Sequence, residues 1–124
     1  MIPTLQFFRG DTVLLDVMVK NGTGSDAVAR DITNDTLFFT LKARATDLDS
    51  DALKRCETGN GITHAVGTTG QATIRFESSA IPALPVGVPL FADVQCKAPG
   101  GEIFTLCQWK VIFLQDISLR TTIS

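Results

Sequence analysis

The sequence predicts an all-β protein, an antiparallel β-sandwich of about seven or eight short strands. Apolar residues alternate with polar or mixed ones at period two in several runs, and turns rich in Gly, Pro, Asn or Asp separate those runs. No i, i+3, i+4, i+7 apolar stripe persists for the length of a helix.

The first clear strand puts Val13, Leu15, Val17 and Val19 on one face and Leu14, Asp16, Met18 and Lys20 on the other, as in a sheet packed on one side. Arg9-Gly10-Asp11 precedes it, a tripeptide that adhesion receptors read on projecting loops. Gly and Asp are turn formers and the alternation starts directly after them, so a strand start is expected here. Leu37, Phe39 and Leu41 against Phe38, Thr40 and Lys42 give a second strand. "KRCET" and "ITHAV" are shorter candidates, with Gly59-Asn60-Gly61 between them as a hairpin turn. Ala72, Ile74 and Phe76 form the inner phase of the clearest alternation. "SSAIPALPVGVP" follows with three prolines, which excludes an inner strand and suits a crossing between sheets. Leu90, Ala92, Val94 and Cys96 lead through "APGG" into a final strand, Ile103 to Leu114. Its apolar phase switches from even to odd positions, which predicts a β-bulge near Gln108.

Composition bounds what such a domain can do. At 124 residues the chain is long enough for one core, and a single domain over 1–124 is expected. A net charge of −2, with no Lys or Arg cluster, argues against nucleic acid as a partner. The apolar runs are too short to span a membrane, and "MIPTLQFFRG" has neither the basic start nor the apolar stretch of a secretion signal. The expectation is a protein that stays where it is made.

Chemistry is sparse. There is one histidine and no tyrosine, so any triad or His-based metal centre would have to draw on His64, which sits among apolar residues of a short strand. Asp47-Leu48-Asp49-Ser50-Asp51 matches the opening of a calcium loop. The sixth and twelfth positions, however, hold Ala52 and Thr58 rather than Gly and Glu. Capping of a helical turn "DALKR" by Asp49 or Asp51 is the better reading. No catalytic, metal or cofactor-binding residues are assigned, and the chain is not expected to be an enzyme. Cys56, Cys96 and Cys107 lack C-x-x-C spacing and are expected as free thiols. A Cys96–Cys107 crosslink ranks second, because the turn between them does not set them opposite each other.

The informative residues are apolar ones on the outward phase: Leu14, Met18, Phe38 and Phe91. To these we add Trp109 on the last strand and the apolar residues of two expected terminal arms. Leu5 and Phe7 belong to an N-terminal arm over about 1–8, Ile117 and Leu119 to a C-terminal arm over about 115–124. These nine residues are the candidate protein interface, with contact to other subunits as the expected use.

The order of "FRGDTVLLDVMVKNG", "DITNDTLFFTLKA", "DLDSDALKR", "GNGITHAVGTTGQATIRFES", "LPVGVPLFADVQC" and "TLCQWKVIFLQDIS" resembles the immunoglobulin-like domain at the N-terminus of phage upper-baseplate proteins, which also occurs alone in phages and prophages. The likeness covers nearly the whole chain. Arg9-Gly10-Asp11-Thr12 corresponds to the start of the first long strand, Gly61-Ile62-Thr63 to the hairpin after the acidic loop, and Leu84-Pro85-x-Gly87 with Asp93-Val94-Gln95 to the crossing and penultimate strand. The chain departs from the pattern at Trp109, at Pro89 and Phe91, and at Gln115. The resemblance implies an immunoglobulin-like sandwich and a virion structural role, assembled in the host bacterial cytoplasm, with other virion proteins and copies of itself as partners. It implies a tail or baseplate adaptor first; a capsid decoration protein is the alternative, because a sandwich of this size with apolar ends suits both. A carbohydrate-binding module, with Trp109 as its platform, is a further alternative. No cofactor follows from it.

Overall fold

The computed structural model describes residues 3–21, 28–44, 46–47, 51–64, 70–81 and 84–115. The strands are β1 (Thr4–Phe8), β2 (Thr12–Met18), β3 (Lys20–Asn21), β4 (Val28–Ala29), β5 (Thr36–Lys42), β6 (Lys54–Thr58), β7 (Gly61–His64), β8 (Gln71–Glu77), β9 (Leu90–Lys97) and β10 (Ile103–Leu114). One turn of 3₁₀ helix, Ser78–Ala80, follows β8. β3 and β4 form a separate two-stranded ribbon. The other eight strands make a single sheet in the order β1-β10-β9-β5-β6-β7-β8-β2, which curls almost into a barrel.

The predicted alternation decides which side of this sheet is inside. Val13, Leu37, Phe39, Leu41, Ala72, Ile74, Phe76, Leu90, Ala92, Val94, Cys96, Val111 and Phe113 are all buried. Phe39 on β5 and Phe76 on β8 are not sheet neighbours, yet their rings lie 5.5 Å apart. The two halves of the curled sheet therefore pack on each other through aromatic contact. Ile32 and Val19, also buried, close the core beneath the connections.

Four expectations are corrected. The sheet is not wholly antiparallel: β1 runs parallel to β10, and β6 and β7 are joined by a two-residue parallel pairing, Glu57 to Gly61 and Thr58 to Ile62. The tight turn lies at Thr58-Gly59, closed by reciprocal backbone hydrogen bonds between Glu57 and Asn60. The chain then steps sideways into β7 instead of folding back as a hairpin, and this corner turns the sheet over on itself. The bulge falls at Leu106, where the register slips between Thr105 and Cys107, not near Gln108. Finally, the described part of the expected N-terminal arm is a strand. Thr4–Phe8 adds to β10, and the rings of Phe7 and Phe113 lie 5.8 Å apart. Parity explains it: Leu5 and Phe7 face the core side opposite Val111 and Phe113. The C-terminal arm from residue 116, with Ile117 and Leu119, lies outside the described residues, as does most of the acidic loop with Asp49.

Candidate functional site

β1 and β2 are consecutive in the chain but occupy opposite ends of the sheet. The turn between them, which contains Arg9-Gly10-Asp11, is thus the point at which the chain crosses the open seam of the near-barrel. Asp11 N–H donates to the Phe8 carbonyl at 3.1 Å, and Gly10 takes φ +98°, a conformation open to glycine at no steric cost. The buried Ser78 pins this turn. Its hydroxyl accepts from Gly10 N–H at 2.8 Å and donates to the Asp11 carbonyl at 2.7 Å. Arg9 N–H donates to the Leu114 carbonyl at 2.8 Å. The tripeptide therefore acts through its main chain as a strand start.

β2 is the edge of the sheet on one side of the seam. Its ladder to β8 includes Ser78 N–H to the Asp11 carbonyl and Val19 N–H to the Gly70 carbonyl, both in the same register. Odd-numbered residues of β2 therefore bond to β8, and Thr12, Leu14, Asp16 and Met18 turn their N–H and C=O groups to the free edge. On the outer face of the same strand the polar side chains are already engaged. The Thr12 hydroxyl donates to Glu77 at 2.6 Å, and the Thr73 hydroxyl donates to Asp16 at 2.9 Å. Leu14 stands between them and Met18 beyond Asp16, 58% and 49% exposed. These two predicted interface residues lie on one face of one strand, 4 residues apart.

Phe38 and Phe91, also predicted, lie on the outer face of β5 and β9 but do not touch across one row: Phe38 is opposite Gln95, and Phe91 is opposite Lys42. Both are only partly exposed. Phe38 lines a shallow groove with Arg55, Glu57, Asn60, Gln95 and Lys97. Trp109 is placed otherwise than expected for a platform. It stands opposite Ala92 on the inner face and packs against the core, with one side bordering the concavity next to Phe91. Leu5 and Phe7 likewise belong to the inner face.

Sequence reasoning missed the other end of the domain. Ile103 and Phe104, at the start of β10, are 59% and 47% exposed. Phe104 is opposite the buried Cys96 and so on the inner phase, but it projects beyond the core. The Arg30 guanidinium lies 6.0 Å from its ring centroid and bonds Asp35 through Nε at 2.6 Å. Asp35 is buried, and the hydrogen bond from Arg30 holds its carboxyl below the ordinary range, with the Cys96 thiol as a further donor. The opposed charges five positions apart, just before β5, were the available signal.

The thiols are all free. Burial first, and the Asp35 charge second, push Cys96 up to about 11; burial and Asp93 do the same to Cys107. At neutral pH these thiols are protonated and poorly nucleophilic. His64 ends β7 opposite Ala72. Among the described residues no group of three or more His, Cys, Asp or Glu could hold a metal ion. No family model and no curated protein matches the chain.

Proposed function

We propose that this chain is a bacteriophage virion structural protein, an immunoglobulin-like domain that serves as a tail or baseplate adaptor and assembles with other virion proteins and copies of itself. One observation carries the reading: large apolar residues remain outside a core that is already filled. Leu14, Met18, Phe8, Ile103 and Phe104 are each about half exposed. Covering such a side chain with a partner contributes at most roughly 1.5–3 kcal/mol, so several must be buried together to offset the cost of association. The immunoglobulin-like designation rests on the pairing of β2 with β8, of β5 with β9 and of β9 with β10, the neighbours expected of strands B with E, C with F and F with G. The continuous sheet through the β6–β7 corner departs from two separate layers.

Fractionation of purified particles is the test. Recovery with tails or baseplates and not with heads supports the adaptor. Many copies on isolated heads assign the chain to capsid decoration instead, and absence from every particle fraction overturns both. For the carbohydrate alternative the remaining surface is the concavity that Trp109 borders with Phe91, and a glycan array without signal removes it.

A further inference from the structure

We propose that β2 is a self-pairing edge: two copies of this chain join their β2 strands antiparallel about a two-fold axis, extending one sheet across the dimer. The inference rests on the assembly reading above and names the partner of one surface, a second copy. Three features point to it.

Among the described residues the edge is open and unguarded. Along Thr12–Met18 there is no proline or lysine, and Asp16 is the one charge. Natural sheet edges are usually blunted by such residues, by bulges or by a covering element. Here β1, the next stretch of chain, pairs with β10 instead of covering β2.

The edge is self-complementary in one register. Even-numbered residues carry the free N–H and C=O groups, so even positions must pair with even ones. Centring the dyad on Leu15 pairs Leu14 with Asp16 of the second copy and Thr12 with its Met18. On the inner face the same register sets Leu15 against Leu15 and Val13 against Val17. Leu15 and Val17 face the core yet are only partly buried, and no described strand lies beside them on the seam side. Every inner pair is then aliphatic, the kind that stabilises cross-strand contacts. A shift of the dyad onto Asp16 would set two carboxylates directly opposite each other, which is destabilising. A shift onto Leu14 would shorten the overlap.

The flanks bring no charge conflict. Asp11 precedes the strand and Lys20 follows it, both exposed. Antiparallel pairing about Leu15 sets Asp11 opposite Val19 and Lys20 opposite Gly10 of the other copy, so no like charges stand directly opposite each other at either end of the contact.

Sedimentation of the full chain over a range of concentrations is expected to show a monomer–dimer equilibrium. Asp16→Pro removes an N–H that points to the free edge and takes no part in the ladder to β8, where proline is tolerated. It should weaken dimerisation by tenfold or more, about 1.4 kcal/mol. Should that variant not fold, Leu14→Lys, at an exposed outer position, gives the same readout. Leu15→Cys places two thiols opposite each other in a non-hydrogen-bonded pair and should yield a crosslinked dimer on mild oxidation; Val13→Cys should yield none. A chain monomeric at its highest soluble concentration overturns the proposal. So does a dimer that both edge variants leave intact, or equal crosslinking at positions 13 and 15. A monomer still recovered in purified particles would sink the self-pairing and leave the assembly reading standing; a β2-paired dimer absent from all particles would do the reverse.

Discussion

The middle of the sheet and its seam are written in the same sequence pattern and end in different physical states. In β5, Leu37, Phe39 and Leu41 have strands on both sides and are at most 1% exposed. In β2, Leu15 and Val17 point to the same core but have a described strand on one side only, and they stay half-buried. The outer phases differ in the same sense, with Phe38 and Phe91 mostly covered while Leu14 and Met18 are about half exposed. Alternation therefore specifies which way a side chain points. How deeply it is buried is set by what lies beside its strand.

The largest expected effect tests that statement directly. Phe39→Ala should cost about 3–5 kcal/mol, since it removes a ring packed on Phe76 at the meeting of the two halves. Leu15→Ala, equally inward, should cost about 1–2 kcal/mol, the lower value for a partly buried aliphatic chain. Denaturant titration of the two variants measures the contrast; equal losses would mean that the seam is as well packed as the centre.

A middle-sized effect belongs to the Arg30–Asp35 pair. Asp35→Asn leaves the guanidinium without its carboxylate in a largely buried site and should cost roughly 2–3 kcal/mol. The sign of its pH dependence follows from the lowered pKa of Asp35, whose cause is the hydrogen bond from Arg30. A carboxyl held below its ordinary value of 3.8 contributes stability that is complete above that pH and lost as the pH falls through the folded value. Wild-type stability should decline with acid below about pH 4, and Asp35→Asn should flatten part of that decline. An unchanged acid limb would remove the pair from any structural role.

The sequence was most legible where a residue's partners are close in the chain or repeated by the pleat. The inner phases of β2, β5, β8 and β9, and the strand start at Arg9-Gly10-Asp11, follow from period two and turn chemistry alone. The β6–β7 corner was not legible, because Gly59-Asn60-Gly61 serves a hairpin and a sideways step equally well. Residues 4–8 looked like an arm because five residues preceding a turn carry no information on which distant strand they will meet. The bulge was legible in kind and misplaced by two residues, since either Leu106 or Gln108 reconciles the two phases of β10. Of the candidate interface, Leu14 and Met18 stand exposed together, whereas Leu5, Phe7 and Trp109 turned inward once their strands had neighbours.

The smallest effect probes how the seam keeps its shape. Ser78 is a buried side chain that ties the β1–β2 turn to the end of β8, through Gly10 and Asp11. Ser78→Ala removes both bonds, but Gly10 is exposed and its N–H regains water, so the global cost should be only about 1 kcal/mol. The change should instead be local. Amide exchange at Gly10, and at Arg9 with its bond to Leu114, should accelerate while the amides of β5 and β9 keep their protection. Exchange that rises uniformly across the sheet would mean that the turn is not a separate hinge and that centre and seam open as one unit.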